Sequence, residues 1–159
     1  MALIRKGGID ENDTWQRLDD DQPAGAGDII VSLARWNVAR DELLAREGRL
    51  GLQLEPADEP EDLVSDLRFF ALVAVEFPKF TDGRGYSTAR LLRERLGFRG
   101  ELRAIGDVLP DQVGFMQRCG FDAMELVEGR DVSVALAALD EISIRYQATG
   151  EELPFWCER

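Results

Sequence analysis

The run Ala71-Leu72-Val73-Ala74-Val75, continued by Glu76 and Phe77, constrains this chain more than any other stretch. Unbroken apolar character without polar alternation suits a strand buried on both faces, as in a parallel sheet. Parallel neighbours must be joined by crossovers, and amphipathic segments lie between this run and other apolar ones. Strands are expected at 28–33 (DIIVSL), 50–54 (LGLQL), 71–77, 101–105 (ELRAI) and 122–126 (DAMEL). Between them, Asn37 is placed to cap a helix that ends near Gly48, and Pro60 to open a short one. Ser87 can cap STARLLRERLG, which Gly97 terminates; Pro110 and Gly120 bracket the next helix, and Asp131 caps a last one through VALAALDEISIRYQ.

The motif Arg-x-Gly-Phe occurs twice, at Arg95-Leu96-Gly97-Phe98 and Arg118-Cys119-Gly120-Phe121. One helix-to-strand junction used twice explains it, with glycine in the left-handed C-cap and phenylalanine closing the helix over the sheet. Such units give an α/β fold: a mainly parallel sheet of about five strands with intervening helices, open and doubly wound, the alternative being a partial β/α barrel. The 159 residues form a single domain, in which 1–27 is a polar N-terminal extension or edge strands and 150–159 a C-terminal tail.

Charge and absences exclude several functions. A formal net charge of −12 disfavours nucleic acid as a partner. The chain has no histidine, so histidine-dependent triads and the usual zinc motifs are out. Two cysteines, Cys119 and Cys157, form no CxxC, and neither a dinucleotide fingerprint nor a Walker A motif occurs. No cofactor of its own is therefore expected. No apolar run approaches the roughly 20 residues of a membrane span, and MALIRKGGIDEND lacks a signal-peptide core. A cytoplasmic protein with no membrane partner is the expectation.

Both arrangements of the sheet place ligands at the carboxyl ends of the strands. There the chain reads Glu76-Phe77-Pro78-Lys79-Phe80-Thr81-Asp82-Gly83-Arg84-Gly85-Tyr86-Ser87. Glu76 shares a strand face with Leu72 and Ala74 and so needs a partner, for which Lys79 and Arg84 are candidates. Two glycines before a helix allow clustered N–H groups, and Lys79, Asp82, Arg84, Tyr86 and Ser87 form a candidate anion-binding set. The bland reading is a structural Glu76–Lys79 pair and a capped, solvated loop. Between Lys79 and Arg103 the charge sums to +4, against −16 over the rest. Such a basic stripe can hold a small anion or dock an acidic surface.

The stretch EFPKFTDGRGYSTARLLRERLGFRGELRAIGDVLPDQVGFMQRCGFDAMEL resembles the signature of a bacterial family of uncharacterised proteins associated with sulfite reduction. Genes of that family commonly neighbour the gene of a siroheme-containing sulfite reductase, and its members have been labelled oxidoreductases of sulfite reduction. The resemblance spans about residues 76–126 and implies a pathway, with sulfite reductase as partner; it supplies no catalytic residues. Two functions follow. One is an accessory or docking protein of assimilatory sulfite reduction. The other is a small α/β enzyme acting on an anionic substrate. In that reading Glu76 is a general base with its pKa raised by burial, Asp107 a second acid/base, and Lys79 and Arg84 the anion holders. The terminal Phe155, Trp156 and Cys157 suit either a clamp folded onto the domain or a partner-binding tail. Cys119 is expected to be an inert core residue.

Overall fold

The computed structural model describes residues 2–5 and 8–140. The chain runs through β1 (Ala2–Arg5), β2 (Gly8–Ile9), β3 (Gln16–Arg17), β4 (Ile29–Ser32), α1 (Leu33–Ala45), β5 (Leu50–Leu54), β6 (Leu72–Phe77), α2 (Arg84–Arg90), β7 (Glu101–Gly106), α3 (Val113–Arg118), β8 (Ala123–Leu126) and α4 (Val132–Asp140). A π-helical turn at Leu91–Arg95 extends α2. The eight strands form one sheet in the order β2-β1-β8-β7-β6-β5-β4-β3. From β3 to β8 every pairing is parallel; β1 joins β8 and β2 in antiparallel fashion.

The five strands expected from apolar runs are β4 to β8, and the sheet is mostly parallel. Its size and winding differ from expectation. The N-terminal residues add three strands, so there are eight and not about five. A doubly wound sheet reverses its strand order at a switch point, whereas β4 to β8 follow one another without reversal. Right-handed crossovers between strands added in one direction all land on one face. The buried residues of all four helices, Trp36 and Leu43, Ala89 and Leu92, Val113 and Met116, and Ala135, accordingly join one cluster with Val31, Leu52, Val73, Val75, Phe77, Leu102, Ala104 and Met124. The opposite face carries a small cluster, Ile30, Leu72, Ala74 and Ile105, under Trp15. The result is a curled half-barrel, helices outside, close to the partial-barrel alternative. The unbroken apolar character of β6 is thereby explained, since Val73, Val75 and Phe77 face the helices while Leu72 and Ala74 line the inner face.

The curl is visible in one ion pair. Arg17 Nη2 on β3 lies 3.2 Å from Glu125 Oε2 on β8, five strands away. In a flat sheet five steps would separate them by about 24 Å, beyond the reach of the two side chains. Residues 10–15 form a strap that connects β2 at one edge to β3 at the other, across the inner face.

Local signals played out as chemistry dictates, with two shifts. Gly97 and Gly120 hold φ of +67° and +105°, and Phe98 and Phe121 are both buried in the helix-side core. Arg93 binds the two junctions together, donating to the carbonyls of Gly120, Phe98 and Gly100 at 3.0, 2.8 and 2.8 Å and to Asp122. Cys119 is buried, and burial pushes its thiol up. Helix α1 is capped by Ser32, whose hydroxyl accepts from the Arg35 N–H at 3.0 Å, and not by Asn37. Helix α2 starts at Arg84 with Gly83 as N-cap, one turn before Ser87. The expected C-terminal half of α4 and the tail with Phe155, Trp156 and Cys157 lie outside the described residues.

The turn after β7 is the tightest point between sheet and strand-end loop. Gly106 has φ +94°, and a Cβ there would lie 2.4 Å from the Phe77 carbonyl oxygen. Gly106→Ala is expected to lower stability in urea unfolding by about 1–3 kcal/mol, from backbone strain and this overlap together. An unchanged midpoint would mean that the turn has another conformation.

Candidate functional site

The carboxyl end of β6 emerges into residues 78–83, and the carboxyl end of β7 into the turn at Asp107. The two loops are joined through Phe80. Its N–H donates to Asp107 Oδ2 at 2.9 Å, and its carbonyl accepts from Gln112 Nε2 at 2.9 Å. The Asp107 N–H in turn donates to the Phe77 carbonyl at 2.7 Å. Both backbone polar groups of Phe80 are thus fixed, yet the residue is 50% exposed. Phe115, one turn beyond Gln112, is 45% exposed, with the Arg118 guanidinium 5.2 Å from its ring centre.

The expected site residues are distributed around this junction in pairs and singles. Asp82 accepts from Arg84 Nε at 3.0 Å, from Nη2 at 2.7 Å and from the Arg84 N–H at 3.1 Å. That fork, then the backbone donor, holds the Asp82 carboxyl below its ordinary value. Tyr86 turns to the helix layer, its ring 5.1 Å from Phe77 and 4.9 Å from Phe115, where burial raises its phenol. Lys79 and Ser87 are exposed. Glu76 lies on the inner face and accepts from Gln53 Nε2 at 2.9 Å, in place of the expected Lys79 or Arg84. Asp107 belongs to the loop beyond Gly106, so the two carboxylates proposed as acid and base have different partners.

The basic stretch also separates in space. Lys79, Arg84 and Arg90 are exposed, Arg93 knits the glycine junctions, and Arg103 is buried on the inner face with 3% exposure. Arg103 lies beside Ala74 on β6 and Ala123 on β8, and Ala123 pairs with Arg5 on β1. Arg103 donates from Nη1 and Nη2 to the two oxygens of Asp13 at 2.7 and 2.8 Å, and from Nε to Glu101 at 2.9 Å. Arg5 adds contacts to Glu101 at 2.7 Å and Asp10 at 2.8 Å. Burial alone would raise the Asp13 carboxyl, but Arg103, Arg5 and the Trp15 N–H together bring it below the ordinary value.

Two features escaped the sequence reading. Phe80 has no role in the sequence reading, although a large ring among polar residues at a strand end is itself a signal. The alternation Glu101, Arg103, Ile105 against Leu102 and Ala104 marks a strand with one charged face, and that signal was present. Among the described residues no group of three or more Asp, Glu, Cys or His side chains could hold a metal ion. No helix among them is long and apolar enough to cross a membrane.

The profile of the family described as bacterial protein of unknown function (DUF934) matches residues 51–156, and the chain belongs to that family. No curated protein and no solved structure matches it.

Because the folded Asp82 titrates below the ordinary value of 3.8, its pairing with Arg84 contributes above that value and is lost as pH falls through the folded pKa. Carboxyl-detected NMR should place the Asp82 midpoint below 3.8 in the native protein, and Arg84→Gln should move it upward. A midpoint unaffected by Arg84→Gln would show that the pair does not persist in solution.

Proposed function

We propose that this family member is an accessory, docking component of assimilatory sulfite reduction, acting in the cytoplasm with a siroheme sulfite reductase and bringing no cofactor of its own. The observation that supports docking is Phe80, a half-exposed aromatic ring on a loop whose N–H and C=O are both tied. A ring held in place before contact loses little freedom on binding, and its burial in a partner pocket would yield up to about 1.5–3 kcal/mol. Phe115 lies one turn from the glutamine that holds Phe80, with Arg118 against its ring. Aromatic rings flanked by arginine are the residue types that anchor protein interfaces. The choice of pathway and partner rests on the resemblance of residues 76–126.

The second reading, a small α/β enzyme on an anionic substrate, needs Glu76 and Asp107 as acid and base and Lys79 and Arg84 as anion holders. Glu76 is engaged by Gln53, Asp107 by the Phe80 N–H, and Arg84 by Asp82. These engagements favour docking over catalysis at this edge.

Calorimetric titration of the chain into the sulfite reductase of the same bacterium tests the proposal. Wild type should bind, Phe80→Ala/Phe115→Ala should weaken binding by at least about tenfold, or 1.4 kcal/mol, and Glu76→Gln should leave it unchanged. Thermal melting of the double variant should still show a cooperative transition with only a modest loss, because both rings are about half exposed and only Phe115 packs on a neighbouring ring, Tyr86. Absence of binding by the wild type, or turnover of sulfite by the isolated chain that Glu76→Gln abolishes, would overturn it.

A further inference from the structure

The inner face of the half-barrel gathers charge independently of the strand-end loops, and the chain's own strap covers it. Asp13 presents both carboxylate oxygens to the fork of Arg103 at 2.7 and 2.8 Å, and Arg103 is 3% exposed. We propose that Arg103, assisted by Arg5, forms a binding site for a small oxyanion on this face, and that Asp13 fills it as an internal surrogate which the anion displaces.

Three observations carry this. The forked contact is the geometry that carboxylate, sulfate and phosphate share, so the Asp13 carboxylate stands in for two oxygens of any of them. The strap is lightly fastened. Backbone bonds hold its ends, from Asp10 N–H to Leu3 at 2.9 Å and from Gln16 N–H to Asp28 at 3.0 Å. Between them the ties are side-chain ones: Asp13 to Arg103, Thr14 Oγ1 to Asp28 at 3.0 Å, and the Trp15 ring over Gly51. Residues 11–14 are all exposed, the setting in which local opening costs least.

Charge gives the third argument. Asp10 sits at the strap's held end and stays with Arg5, so when Asp13 leaves, Arg103 keeps Glu101 but loses both contacts of its fork. A desolvated guanidinium without its carboxylate is strongly unfavourable, so strap and anion are alternative occupants of one site.

The test is sulfate and phosphate titration of Asp13→Ala, with ionic strength held constant by chloride. Asp13→Ala, whose strap no longer competes, should bind either anion saturably and at least about tenfold more tightly than wild type. Adding Arg103→Lys, which keeps the charge but removes the fork, should reverse most of that gain. Wild-type protein provides a readout that needs no variant: sulfate should speed amide hydrogen exchange across residues 11–17 and leave β6 unaffected. A folded Asp13→Ala that binds neither anion, binding that survives Arg103→Lys unchanged, or wild-type exchange insensitive to sulfate would each show Asp13–Arg103 to be a structural staple.

Discussion

The guanidinium of Arg103 lies almost wholly out of water, on the side of the sheet that has no helix among the described residues. A buried cation persists only when its hydrogen bonds and charge are met. Glu101, two residues earlier on the same strand, meets part of that need at 2.9 Å, and Asp13 meets the rest from a segment 90 residues away. The need itself follows from winding. Strands β4 to β8 are added in one direction, their crossovers all pass over one face, and the other face curls inward without a helix among the described residues. The N-terminal strap supplies the missing cover, and Arg103, Arg5, Trp15 and Arg17 are the points at which it is fastened.

The two ends of the structure divide its polar groups between different tasks. At the carboxyl edge, Asp107, Gln112, Asp82 and Arg84 spend their hydrogen-bonding capacity on neighbouring chain, and beside the exposed Lys79 and Arg84 two aromatic rings, Phe80 and Phe115, stay half exposed. On the inner face, the charged groups are concentrated and shielded. A docking role for the first and an oxyanion role for the second use separate residues, so each stands on its own chemistry. The fold also accounts for why a contiguous run of cations in the sequence, from Lys79 to Arg103, does not form one basic surface: alternation along β7 sends Arg103 inward, while α2 displays Arg84 and Arg90 outward.

The central strands were legible because burial on both faces leaves an uninterrupted apolar run, and Gly97 and Gly120 because only a left-handed C-cap requires glycine there. The winding was not legible. It depends on which edge each crossover joins, a property of the whole sheet that no local stretch of the sequence encodes. Residues 1–27 read as a polar extension or edge strands, and the strap between those strands was not legible for a related reason: Asp10, Asp13 and Arg17 look like solvated residues until their partners Arg5, Arg103 and Glu125 are brought across the sheet. Glu76 found Gln53 and not a cation, because its inner-face neighbours come from β5, and the loop cations extend beyond the strand end. The caps at Ser32 and Gly83 precede the expected Asn37 and Ser87 by about one turn, more than helix ends usually fray.

The central claim is that residues 10–17 cross and close the inner face of a curled sheet. It is tested most directly at Trp15, whose ring carbon Cζ3 lies 3.2 Å from where a Cβ on Gly51 would be, with the Arg49 guanidinium 5.0 Å from the ring centre on β5's side. Proton NMR of the native chain should show Overhauser contacts between the Trp15 ring and the Gly51 α-protons, with those protons displaced by the ring current from ordinary glycine shifts. Gly51 α-protons at ordinary shifts, without contacts to Trp15, would contradict the account, since the strap would not lie on the inner face and Arg103 would lack the cover on which the fold depends.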